Sequence, residues 1–245
     1  MAKQDRAVRT RRMILEAAAL VFDERGYEAA TITEVFERAG LTKGALYFHF
    51  PSKEDLARGV LAGATVLAGV RPQGLVLQEL VDTLLLAAHR LPREPMLGAA
   101  FRIAVDPASR QLLGTGWPAW SDALTRLLRR AKERDEVHRH LDEAEAARII
   151  VCAWAGVRVV TEGLPESYDL AREVGVLLGM LLPGIAVPSV LARLDVSPDR
   201  AARLYAELAE ARARPEAGGG GGGRGGGDDP GEPGAVVRSG RTPLV

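Results

Sequence analysis

The chain has 245 residues, 47% of them hydrophobic and 26% charged, and its 32 basic and 32 acidic side chains cancel to a formal net charge of zero. That length allows one or two domains with a sizeable core. The charge balance excludes a general basic coat for nucleic acid, so any DNA affinity has to come from a local patch.

Such a patch opens the chain: Lys3, Arg6, Arg9, Arg11 and Arg12, opposed only by Asp5. It is either a solvated, frayed terminus or a set of phosphate contacts. A helix is predicted from about Val8 to Arg25. Ile14, Ala18 and Phe22 recur along it at i, i+4 and i+8, so one stripe faces a core, and Gly26 ends it. Thr31-Ile32-Thr33-Glu34 is a capping box, in which the Thr31 hydroxyl accepts from the Glu34 N–H while Glu34 reaches back. Val35, Phe36 and Ala39 follow at helical spacing, and Gly40 stands at the left-handed stop position. Thr42 caps a second helix of about seven residues, Lys43 to His49. A capped helix, a glycine turn and a second capped helix describe a helix-turn-helix unit; a surface helical hairpin with no ligand is the alternative.

The second helix has the chemistry to read DNA. Gly44 and Ala45 are small enough to let the backbone approach base edges or a thymine methyl. Lys43 reaches a guanine or a phosphate, and Tyr47 and His49 are donors of the kind that fix register on phosphates. The helix N-terminus adds its own attraction for phosphate oxygens.

Ser52 caps a fourth helix running toward Leu67, and Arg71-Pro72-Gln73-Gly74 marks a boundary. Helices are then predicted over about Leu75–Leu91, Pro95–Val105, Pro118–Asp135, Glu143–Gly163 and Ser167–Leu182, with Asp106 to Gly116 irregular. A short helix over about Pro188–Leu194 follows. Ser197-Pro198-Asp199 starts a last helix that ends near Arg214. The expected division is an N-terminal helix-turn-helix domain over 1–68, its three-helix unit completed by the fourth helix, and a larger helical domain over 74–214. The Gly-rich tail, 215–245, lacks the apolar mass to offset ordering entropy and is expected to be disordered.

Two apolar helix faces, Ala146, Ala153, Val157 and Val160 on one and Val174, Leu177, Leu178 and Leu181 on the other, are either buried within one chain or paired with a second copy. Ala153 and Gly156 allow close helix approach. Cys152 lies in the same apolar run and is read as a small buried hydrophobe. Trp117 and Trp120, three apart, share a face; they are core aromatics or pocket walls. His138 and His140, at i and i+2, fit no common zinc spacing and read as a solvated helix end. No nucleophile, acid–base or phosphate-loop constellation stands out, so an enzyme on a helical scaffold finds no support, and no cofactor is expected. With no signal core and no apolar run long enough for a bilayer, the expected location is the cytoplasm, at the nucleoid, with no membrane partner.

The run from Thr10 to Leu56 resembles the tetracycline-repressor (TetR) family of bacterial transcription regulators. The matching residues include Ile14, Ala17, Phe22, Gly26-Tyr27, Thr31-Ile32, Ala39-Gly40, Thr42-Lys43-Gly44, Leu46-Tyr47, His49-Phe50 and Lys53-Glu54-Asp55-Leu56. Four further segments, KGALYFHFPSKEDLA, PMLGAAFRIA, PAWSDAL and VCAWAGVRVV, are similar to the γ-butyrolactone receptors of actinomycetes, a resemblance covering about residues 1 to 195. It implies an all-α homodimeric repressor that binds a palindromic double-stranded operator and leaves it when a small apolar effector binds. The DNA-contacting set it implies is Thr31, Thr33, Thr42, Lys43, Gly44, Ala45, Tyr47, His49 and Lys53. The ligand set is Trp120, Phe101, Trp154 and Val157. Trp120 is in it because those receptors have a ligand-facing tryptophan in the segment matching Pro118-Ala119-Trp120, Phe101 and Trp154 as candidates for further walls of the same cavity, and Val157 as the position of a departure from the receptors. One departure stands out. Where those receptors tend to have Gly-Thr-Arg-Val-Val, this chain has Gly156-Val157-Arg158-Val159-Val160, so a hydroxyl that bonds a lactone oxygen would be missing. That leaves open a receptor of altered preference, or a pseudo-receptor answering to another small molecule. Effector binding is expected to displace the helix from Pro95 and, through the helix from Ser52, alter the spacing of the two reading heads.

Overall fold

In a computed structural model of the chain, the described residues are 2–64, 70–163 and 168–213. They form twelve α-helices and no strand. The helices are α1 (Ala2–Ala29), α2 (Ile32–Ala39), α3 (Lys43–His49), α4 (Lys53–Gly63), α5 (Val76–Arg90), α6 (Pro95–Val105), α7 (Pro107–Leu113), α8 (Trp117–Glu133), α9 (Glu143–Thr161), α10 (Leu170–Leu181), α11 (Pro188–Leu191) and α12 (Arg200–Ala213). The expected disorder of the tail and the expected course of the fourth helix to Leu67 fall outside the described residues.

Local signals set most of these ends. Gly26 interrupts α1 with φ 77° and ψ 166°, a backbone conformation closed to residues with a Cβ. The segment expected to be irregular after Asp106 contains α7 instead. The Asp106 carboxylate accepts the Ser109 N–H at 2.7 Å and Pro107 supplies the first helical position, which together start the helix.

Two apolar cores organise the chain. The first gathers Ile14, Ala18 and Phe22 of α1, Val35 of α2, Leu46 of α3 and Leu56 and Val60 of α4. Ala99 and Ile103 of α6 belong to it as well, and α1 against α6 is the most extensive helix contact in the structure. The second core surrounds α5, all 15 residues of which are buried.

A helix covered on every side has to satisfy its polar side chains internally. Asp82, fully buried, accepts from Arg200 Nε at 2.9 Å and Nη2 at 2.6 Å. Gln78 donates to Asp82 at 2.7 Å and to the Asp195 carbonyl at 3.0 Å. Glu79 meets Arg130 at 3.2 Å, and the Glu136 carboxylate accepts the Leu77 N–H at the start of α5 at 2.8 Å. These pairs fasten α12 and α8 onto the central helix.

Candidate nucleic-acid interface and apolar cavity

The head presents α3 on a frame of caps. Thr31 Oγ1 accepts from Glu34 N at 3.2 Å and Glu34 Oε2 accepts from Thr31 N at 2.9 Å. The Thr31 amide thereby holds the exposed Glu34 carboxyl below its usual range. Gly40 takes φ 65° at the turn, and Thr42 Oγ1 accepts from Ala45 N at 3.3 Å to start α3. Leu46 is fully buried and roots α3 in the first core, which turns the opposite face of the helix outward.

That outward face carries Lys43, Gly44 and Tyr47, with the Lys43 ammonium 5.8 Å from the Tyr47 ring. Ala45 and His49 are half-buried beside it, and Thr33 is exposed on α2. The oxygens of Thr31 and Thr42 are engaged in capping. Lys53 is turned back on the head: its ammonium donates to the Glu28 carbonyl at 3.1 Å and lies 4.5 Å from the Tyr27 ring. Arg6, Arg9, Arg11 and Arg12 are exposed on α1, and the Arg11 guanidinium lies 4.9 Å from the ring of Phe50, the residue that ends α3. Sequence reasoning passed over Phe48, which is 81% exposed on α3; its only signal is its position one turn after Gly44.

A cavity of about 660 Å³ opens between the two cores. Leu61, Ala62 and Ala64 at the end of α4 form one wall, and Leu97, Phe101 and Ala104 of α6 a second. Trp117 and Trp120 of α8 and Trp154 of α9 close the far side. Among the described residues no charged side chain lines it. The tryptophans form one cluster: Trp117 stacks on Trp120 at 5.8 Å, and Trp120 meets Trp154 edge to face at 4.8 Å. The indole N–H groups differ. That of Trp154 donates to the Leu84 carbonyl at 3.1 Å and that of Trp117 to the Ala104 carbonyl at 3.4 Å. The Trp120 N–H is buried with no partner among the described residues. Of the four residues expected around a ligand, Trp120, Phe101 and Trp154 come together here. Val157 does not line the cavity; it is half-buried against the second core.

The faces of α9 and α10 divide differently from the expectation. Val174 and Leu178 are buried in the chain's own core, because α10 packs against α5 through them. The exposed side carries Ile149, Gly156, Val159 and Val160 (65% exposed) on α9, with Val176 and Met180 (73% exposed) on α10. Cys152, expected to be buried, is exposed on that same side, since the helix is apolar on both faces. No helix among the described residues is long and apolar enough to cross a membrane. No cluster of three potential metal ligands occurs among them.

Comparison with known proteins converges on one family. Residues 14–60 match the bacterial regulatory proteins of the tetR family. The A-factor receptor protein of Streptomyces griseus is 39% identical over 225 residues, which span 89% of this chain and 80% of that protein. The crystal structure of full-length native TylP, a TetR regulator from Streptomyces fradiae, superposes with a TM-score of 0.73 at 40% identity, covering 83% of this chain and 99% of that one. A γ-butyrolactone receptor (ArpA-like protein) aligns with a TM-score of 0.66 at 33% identity, over 82% of this chain and 99% of that one.

Proposed function

The chain belongs to the TetR family of DNA-binding transcription regulators, and from that premise we propose a homodimeric repressor whose operator complex is dissolved by an uncharged, largely apolar effector of the γ-butyrolactone class. The observation that carries the effector reading is the cavity: about 660 Å³, aromatic on one side and aliphatic on the other. That volume suits a single small ligand. A cavity without charged walls selects an uncharged one, because an unpaired charge moved there from water is strongly disfavoured. Among the described residues the wall bears no acidic or basic side chain, and Thr115 supplies a lone hydroxyl with no base beside it on that wall, which favours a regulator over an enzyme.

On this reading residues 1–68 contact DNA through the α3 face, with Lys43, Tyr47 and Thr33 as direct contacts and Gly44 and Ala45 as points of close backbone approach. Thr31, Thr42, His49 and Lys53 support that surface. Residues 74–214 hold the effector and dimerise, the apolar side of α9 and α10 being covered by the same side of a second copy. A palindromic operator follows from the two-fold axis. Transmission runs through α6. Leu97, Phe101 and Ala104 face the cavity while Ala99 and Ile103 sit in the head core, so a ligand that moves one face moves the other. Because Val157 stands off the cavity wall, its missing hydroxyl gives no reason to prefer an altered ligand class.

The test is a gel shift of the full chain on the DNA upstream of its own coding sequence, with and without a γ-butyrolactone carrying an alkyl chain. A sequence-specific complex that the lactone dissolves is the expected result. A complex indifferent to lactone but dissolved by a different apolar metabolite would replace the effector class and keep the repressor.

A further inference from the structure

Phe48 has the highest exposure of the large apolar side chains among the described residues, at 81%, and it stands on the reading helix. Packing of the head does not account for it. Leu46 and Phe50 root the two ends of this short segment in the first core, and Phe48 lies between them on the other side. Positions 44, 47 and 48 share one face of α3, being three and four residues apart. Along that face Gly44 leaves open space, since a Cβ there meets nothing within 4 Å. The Lys43 ammonium lies 5.8 Å from the Tyr47 ring beside it. The Phe48 ring is held edge-on to the His49 imidazole, with centroids 5.2 Å apart and planes at 86°.

A phenyl ring has neither donor nor acceptor, so it cannot read the nitrogen and oxygen atoms of base edges. The one hydrocarbon group that B-DNA exposes in the major groove is the thymine C5-methyl. An apolar ring on a DNA-facing surface loses contact with water only by covering such a group or the sugar edge, and only the methyl carries sequence. We propose that Phe48 is a specificity-determining residue: in each half-site its ring packs on the C5-methyl of one thymine. It thus supplies an apolar readout beside the polar contacts of Lys43. This rests on the operator-binding reading above and names part of what that site reads.

The experiment starts from duplexes selected out of a random library on the immobilised full-length chain. Each thymine of the selected half-site is replaced in turn, on both sides of the palindrome, by deoxyuridine, which lacks only the methyl. Binding is followed by fluorescence anisotropy for the wild-type protein and for Phe48→Ala, whose exposed position leaves the fold intact by circular dichroism. For wild type, one uracil position is expected to weaken binding by about fourfold per half-site, the equivalent of one buried methyl group. For Phe48→Ala the same replacement is expected to have less than a third of that effect. A wild-type protein insensitive to every uracil replacement overturns the assignment, as does a consensus without thymine. A Phe48→Ala protein that keeps the full methyl sensitivity overturns it too, and moves the readout to Ala45 or Tyr47. Selection that yields no consensus at all strikes at operator binding itself, and is thereby distinguishable.

Discussion

Trp120→Phe separates the two roles that this residue combines. The indole is 5% exposed, packed on Trp117 and Trp154, and it also walls the cavity. Replacement by alanine removes both roles at once. A buried tryptophan cut to alanine costs about 3–5 kcal/mol, a large part of the roughly 5–15 kcal/mol that holds a domain. Phenylalanine keeps an aromatic ring against Trp154 and deletes the N–H, which bonds nothing among the described residues. No hydrogen bond among the described residues is lost, so urea unfolding should move only by the packing that the smaller ring gives up, less than about 3 kcal/mol, the lower end of the alanine range. In the complex the deleted bond to a lactone oxygen is worth about 0.5–1.5 kcal/mol, or roughly a two- to twelvefold loss of effector affinity by calorimetry. Operator affinity without effector should be unchanged. Destabilisation beyond about 3 kcal/mol, as for a loss of core, or lactone affinity equal to wild type, would refute the view of Trp120 as an open donor on the cavity wall.

Lys43→Ala should weaken operator binding about equally across sequences and lower the salt slope by about one if the ammonium sits on a phosphate; an unchanged slope in anisotropy titrations would remove it from the backbone. Asp82→Ala leaves the buried ends of Arg200 and Gln78 without their shared acceptor. Breaking a buried pair in this way costs about 3–5 kcal/mol, read by urea unfolding and by faster proteolysis of α12, and a change within experimental error would contradict the clamp. Asp23 of α1 lies against Gly98 of α6, where burial pushes its carboxyl above the ordinary 3.8 despite the opposing pull of Arg102 and Arg158. A raised folded-state value means that the protonated form is the favoured one in the fold, and that wild type loses stability as pH rises from 3.8 through the raised value. Asp23→Asn, which mimics the protonated form, should therefore be the more stable protein at pH 7, with the gap closing as the pH falls below 3.8; a variant less stable than wild type at pH 7 would reverse the sign.

The features legible in the sequence are those whose cause is local. The Thr31–Glu34 box, the Gly40 turn and the Thr42 and Ser52 caps each depend on residues within a few positions, and each forms as read. Trp117 and Trp120 were placed on one face by spacing alone, and their rings do stack. The features that escaped depend on which neighbour a face meets. The helices α9 and α10 are apolar on two sides, so hydrophobic pattern could not say that Val174 and Leu178 turn inward while Cys152, Val160 and Met180 turn outward. Likewise α6 reads as part of the larger domain by its place in the chain, yet Ala99 and Ile103 join the head core. The signal for α7 was present in Asp106-Pro107 but was outweighed by the glycines that follow it. Lys53 looked free to reach DNA because nothing in the sequence brings Glu28 to its ammonium.

The central claim is that effector and operator compete through one conformational equilibrium, and reciprocal linkage tests it most directly. The measurement is a pair of titrations on the full chain: operator affinity with and without saturating γ-butyrolactone, and lactone affinity with and without saturating operator. The account predicts that both affinities fall by the same factor, roughly 5- to 150-fold for a coupling of about 1–3 kcal/mol. Equal lactone affinity for the free and the DNA-bound protein would contradict it.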